Sequence, residues 1–105
     1  MKLTDVLVKI CHNWDIKTVF GLQGGAVAHI FDSFEKYKSK VVYTHHEQTA
    51  AFAAGSFTRA SNKIGCVVTT TGPGSTNTIT GLMGAYQDSI PVLFISGQVR
   101  SNHVS

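Results

Sequence analysis

Ile64-Gly65-Cys66-Val67-Val68-Thr69-Thr70-Thr71, stopped by Gly72-Pro73-Gly74, is the stretch that decides the fold. A run this apolar and β-branched, with no polar alternation, predicts a strand buried on both faces. The glycines and proline break it sharply. Beyond them Ile79, Leu82, Met83 and Tyr86 recur at helical spacing, with Ser75 or Thr76 as the expected cap. Asp88-Ser89 turns the chain, and Pro91 cannot extend a central strand. Val92-Leu93-Phe94-Ile95 is then a second near-continuous apolar strand, ending at Gly97. Two such strands joined through a helix imply a parallel sheet covered on both sides.

The same alternation extends toward the N-terminus. Leu3, Val6, Leu7, Ile10, Cys11 and Trp14 predict an amphipathic helix over residues 3–14. Thr18-Val19-Phe20-Gly21-Leu22 reads as a strand, closed by Gly24-Gly25. Val27, Ile30, Phe31 and Phe34 mark a second helical face, and Lys40-Val41-Val42-Tyr43-Thr44 a further strand. From Glu47 to about residue 60, small and aromatic residues suit a tightly packed helix. The predicted class is α/β, doubly wound, with a mainly parallel sheet, helices on both faces and four strands visible. Residues 1–105 make a single domain. It reads as incomplete, because Gln98 to Ser105 has the look of a loop leading onward.

A hydrophobic fraction of 43% over 105 residues, with a formal charge of only +3, excludes a disordered chain. Nucleic acid is excluded as a partner because the basic residues do not cluster. Their tightest group, Lys36, Lys38 and Lys40, is broken by Tyr37 and Ser39 and reads as a solvated helix end. From Ile64 to Ser105 the only Asp, Glu, Lys or Arg residues are Asp88 and Arg100. A free-standing domain carries more surface charge than that, so another part of the polypeptide or another subunit is expected to cover this half. Cys11 and Cys66 lie in apolar patterns and read as buried free thiols. No signal peptide or apolar run of ~18 residues is seen, so the expectation is a cytoplasmic protein with no membrane partner.

In an open α/β sheet, ligands bind beyond the carboxyl ends of the strands. Gln23-Gly24-Gly25, His45-His46-Glu47 and Gly72-Pro73-Gly74-Ser75 all stand at such ends. A P-loop requires a Gly-Lys-Ser/Thr ending, and no lysine occurs from Ile64 onward. No dinucleotide fingerprint follows a strand either, so the glycines read as a strand-to-helix turn. His45 and His46, as consecutive extended residues, point to opposite faces, and Ala50 leaves His-Glu-x-x-His uncompleted. No metal site is therefore assigned. Glu47 is the sole carboxylate between Glu35 and Asp88 and opens a helix of small apolar residues. Burial disfavours the charged form of such a carboxyl, and the helix start favours it. On the residues alone, a stabilising helix-start charge and a proton-sharing catalytic group are both open.

Phe20-Gly21-Leu22-Gln23-Gly24-Gly25-Ala26, His46-Glu47-Gln48, Thr71-Gly72-Pro73-Gly74-Ser75-Thr76-Asn77, and Asp88-Ser89-Ile90-Pro91 with Ser96-Gly97-Gln98-Val99 occur in this order. Together they closely resemble the N-terminal pyrimidine-binding domain of thiamine diphosphate enzymes of the acetolactate synthase group. The resemblance covers almost the whole chain. It implies that Glu47 hydrogen-bonds the aminopyrimidine nitrogen of thiamine diphosphate and favours the imino tautomer, which removes the thiazolium C2 proton. It implies further that Pro73, Gly74 and Asn77 line the pyrimidine side of the cofactor, with Gly25 and Ala26 on the substrate side. The implied chemistry is decarboxylation and carboligation of a 2-oxo acid, with the cofactor as electron sink.

Gln23 departs from the family's usual proline, and Thr49-Ala50 replaces a smaller pair, which leaves the substrate open. Nothing here matches the family's diphosphate-binding domain, whose Gly-Asp-Gly motif and Asn hold the metal and diphosphate. The resemblance thus implies that Mg2+ is bound elsewhere and that the cofactor is shared with a missing domain, or with another subunit of a homo-oligomer. The alternative is a non-catalytic remnant, an interaction module of the same fold.

Overall fold

The computed structural model describes residues 2–98. Along them run α1 (Leu3–Asn13), β1 (Thr18–Gly21), α2 (Ala28–Lys36), β2 (Lys40–Tyr43), α3 (Glu47–Ser61), β3 (Gly65–Thr69), α4 (Pro73–Thr76), α5 (Ile79–Gln87) and β4 (Val92–Ser96). A 3-10 turn over Gly25–Val27 precedes α2. The strands form one sheet in the order β2-β1-β3-β4, and every pairing is parallel. The expected α/β class and four-stranded parallel sheet are thus observed. The predicted loop from Gln98 to Ser105 lies outside the described residues beyond Gln98, as do Val99 and Arg100.

Alternation along the strands builds two cores. Val19, Cys66 and Val68 face α1 and α2, where they meet Val8, Cys11, Ile30, Phe31 and Phe34. Phe20 and Val67 face the other way, onto Ala50 and Ala54 of α3, with Phe57 and Phe94 alongside. β3 is buried at every residue, as its composition requires. Both cysteines are buried and free, and burial pushes both thiols up.

Three expectations need correction. The helix over residues 3–14 exists, but its buried face is Asp5, Val8 and Cys11, whereas Leu3, Val6, Ile10 and Trp14 are exposed. The apolar spacing misled because a buried polar cluster around Asp5 shares the inner face of α1 with Val8 and Cys11. Ser33 Oγ donates to Asp5 Oδ1 at 2.7 Å, Lys36 Nζ and the Lys2 backbone N–H donate to Oδ2 at 3.2 Å each, and Thr4 Oγ1 lies 2.7 Å from Ser33 Oγ. The strands also stop short of their predicted ends, at Gly21, Tyr43 and Thr69. Lastly, Ser75 and Thr76 cap no long helix. They sit within the one-turn α4, and α5 starts afresh after Thr78.

The Ser33 bond first, then the Lys36 and Lys2 bonds and the Lys36 charge, hold the Asp5 carboxyl at about 2 against the usual 3.8, while burial opposes them. Between those values the unfolded chain takes up a proton and the folded chain does not. Stability is therefore complete above about pH 4 and is lost as pH falls toward 2. In thermal melts the parent is expected to lose melting temperature relative to Asp5→Asn across that window. Parallel profiles for the two proteins would contradict it.

Candidate functional site

All three loops expected at the carboxyl rim of the sheet are found there, after β1, β2 and β3. Each is shaped by local chemistry. Past β2, His46 adopts an extended backbone and becomes the N-cap of α3, its Nδ1 accepting from the Gln48 backbone N–H at 3.1 Å. The imidazole is thus committed to the helix start. His45 and His46 do not stand opposed on a strand, since β2 ends at Tyr43. Among the described residues no three His, Cys, Asp or Glu side chains converge.

Glu47 is the first residue of α3 and is half-buried, as expected. Past β3, Gly72 takes φ +65°, a left-handed conformation that admits glycine readily and turns the chain into α4. Pro73 occupies the first turn of α4, where its missing N–H costs nothing. Its carbonyl accepts from the Asn77 backbone N–H at 3.1 Å, and Ser75 Oγ reaches Ser96 Oγ of β4 at 2.7 Å. A loop braced in this way holds Asn77 over the start of α3. There Asn77 Nδ2 donates to Glu47 Oε1 at 3.1 Å.

Thr70, which no motif singles out, stands between the first and third loops of the rim. A Cβ on Gly24 would stand 2.6 Å from Thr70 Cβ, and one on Gly74 would stand 2.7 Å from Thr70 Cγ2. The side chain is wedged between two bare Cα atoms and locks the first loop to the third. The Gly74 position is also 3.6 Å from Glu47 Oε2. Glu47, Gly74 and Asn77 are therefore brought together directly. Pro73 is exposed one residue away. Gly25 and Ala26 stand further along the rim, on the 3-10 turn, with Ala26 against Gly97 at the end of β4. Among the described residues nothing lies within 4 Å of a Cβ placed on Gly25.

Gln23, the departure in the first loop, donates through Nε2 to the Tyr43 hydroxyl at 3.4 Å, and that hydroxyl donates to Glu35 Oε1 at 2.8 Å. Away from the rim, an open cavity of about 280 Å3 lies between α3 and α5. Ala51, Gly55, Gly81 and Gly84 line it, and the Arg59–Asp88 ion pair at 2.6 Å stands beside it. Its walls carry no acid–base pair beyond that bridge, whereas the Glu47 rim carries a carboxyl with one oxygen held and the other turned to a bare Cα.

All residues, 1–105, match the family model described as "Thiamine pyrophosphate enzyme, N-terminal TPP binding domain". The acetolactate synthase large subunit of Haemophilus influenzae is 41% identical over 99 residues, covering 93% of this chain. The probable acetolactate synthase large subunit of Methanocaldococcus jannaschii is 44% identical over 101 residues, covering 94%. The isozyme 2 large subunit of Escherichia coli is 46% identical over 84 residues, or 80% of the chain. The chain spans 17% of the length of the first two and 15% of the third.

Proposed function

This chain belongs to the thiamine pyrophosphate enzyme family, as an acetolactate synthase-like N-terminal TPP binding domain, and from that premise we propose that Glu47 is its catalytic residue. The observation that carries the proposal is the pairing of Asn77 Nδ2 with Glu47 Oε1, while Oε2 stands over Gly74 without a hydrogen bond among the described residues. A half-buried carboxyl with one oxygen held and the other without a hydrogen bond among the described residues suits a ring nitrogen as partner. The residues present are thus compatible with the pyrimidine half of thiamine diphosphate. When bound, that cofactor supplies an electron sink for decarboxylation and carboligation of a 2-oxo acid.

In this reading Glu47 holds a proton against the pyrimidine nitrogen and shares it as the cofactor is activated. Gly74 admits no side chain, because a Cβ there would meet Thr70 Cγ2 at 2.7 Å, and this keeps the third loop close against Glu47. Pro73 and Asn77 wall the same side, and Gly25 with Ala26 leaves room for the 2-oxo acid. The diphosphate and its Mg2+ are held outside these residues, by a further domain or a second subunit, and the activity is that of a cytoplasmic lyase or transferase. Exchange of the cofactor's C2 proton in a Glu47→Gln variant tests the assignment.

A partner for the chain has its own support. Ile79, Leu82, Met83 and Tyr86 do share one face of α5, and that face is exposed together with Phe52 of α3. Gly55 and Gly84 border the same surface with nothing within 4 Å of an added Cβ. Each glycine costs its helix roughly 0.5–1 kcal/mol relative to alanine. Among the described residues no contact requires either, and close approach of another element is a physical reason for both. Purified alone, the 105-residue chain is expected to self-associate through this face. A single monomeric species at rising concentration in sedimentation velocity would count against it.

A further inference from the structure

We infer that Asn77, besides walling the pyrimidine side, is a positioning residue that acts through the Glu47 carboxyl. The inference rests on the catalytic reading of Glu47 and adds to it a reason why one particular oxygen is presented.

A glutamate carboxyl is two-fold about its last bond, so an unpaired one offers either oxygen and rotates broadly. Here the two oxygens have different surroundings. Oε1 accepts from Asn77 Nδ2 at 3.1 Å, and Oε2 lies 3.6 Å from the position of a Cβ on Gly74. A carboxyl oxygen that carries no proton offers only lone pairs, so the amide nitrogen of Asn77, not its oxygen, has to face Oε1. The bond therefore fixes both groups, with Oε2 left to face the space over Gly74.

Asn77 is itself held. Its backbone N–H donates to the Pro73 carbonyl at 3.1 Å, Thr78 Oγ1 donates to the Ser75 carbonyl at 2.6 Å, and Ser75 Oγ ties the loop to Ser96. The side chain thus reaches across 30 residues of sequence from a braced turn. A purely structural link between α4 and α3 would serve as well with any pair of polar groups. This one takes up one lone-pair side of the carboxylate that opens α3.

The test is a double-mutant cycle in the complete, cofactor-loaded protein, read by exchange of the C2 proton of thiamine diphosphate. Asn77→Ala is expected to slow exchange roughly 10- to 100-fold, the scale on which a misoriented group is felt. In a Glu47→Ala background the same change should have no further effect. Asn77→Asp keeps the shape and removes the donor, so it should slow exchange at least as much. A second readout needs neither turnover nor an Asn77 variant. The Asn77 side-chain amide protons, followed by NMR in the cofactor-free protein, should move to solvent-like shifts in Glu47→Ala and stay in place in Glu47→Gln.

The inference is overturned if Asn77→Ala leaves exchange unchanged, if its cost persists in the Glu47→Ala background, or if the amide protons ignore Glu47→Ala. Undiminished exchange in Glu47→Ala alone would instead overturn the catalytic reading of Glu47. The amide readout separates the two failures.

Discussion

Glu47→Gln in the complete protein is expected to slow exchange of the cofactor's C2 proton by about two to four orders of magnitude, the scale of lost acid–base catalysis. The substitution is chosen for what it keeps. A glutamine at this position still offers an oxygen to Asn77 Nδ2, so the bond at 3.1 Å can be retained and the side chain stays on the rim. It keeps the volume next to Gly74 and Thr70 as well. What it cannot do is pass a proton to and from a ring nitrogen. Because the diphosphate is anchored elsewhere in this reading, cofactor affinity should fall far less than the rate. A helix-start charge would behave differently, since its removal costs roughly 0.3–1 kcal/mol of stability and leaves turnover nearly intact. Deuterium exchange followed by NMR separates the two, and an unchanged rate in the variant would remove Glu47 from the chemistry.

The rim was legible in the sequence because parallel strands leave little freedom. Once residues 64–71 and 92–95 read as strands buried on both faces, each following loop had to emerge at the same end of the sheet. Glu47 stood out there as a lone carboxylate among alanines. Its link to Asn77 did not, because a contact between residues 30 apart depends on the one-turn α4, which periodicity cannot register. The rotation of α1 was hidden for a related reason. Leu3, Val6 and Ile10 look like a core face, yet Asp5 takes the buried place because Ser33, Lys36 and the Lys2 backbone satisfy it. Hydrophobic spacing reports which residues prefer burial. It does not report a polar residue whose partners arrive from α2.

The glycines of Phe20-Gly21-Leu22-Gln23-Gly24-Gly25 look alike in sequence, and the fold assigns them opposite tolerances. Gly21 pairs with Val68 in the parallel register of β1 and β3. A Cβ there would collide with the Val68 carbonyl oxygen and lie 2.7 Å from Phe31 Cζ. The ring could shift, but the carbonyl belongs to the most buried strand of the sheet and has nowhere to go. Gly21→Ala is accordingly expected to cost at least the upper end of the roughly 1–3 kcal/mol typical of overpacking, a large share of the ~5–15 kcal/mol that holds a domain together. Gly25→Ala, with nothing inside 4 Å, should stay within about 0.5 kcal/mol of the parent. Adding Phe31→Leu removes the aromatic obstacle and leaves the carbonyl, so it should not rescue Gly21→Ala. Urea unfolding of the three variants reads this directly. Equal midpoints for Gly21→Ala and Gly25→Ala would mean that β1 does not lie against β3 in this register, and the rim built on that register would fall with it.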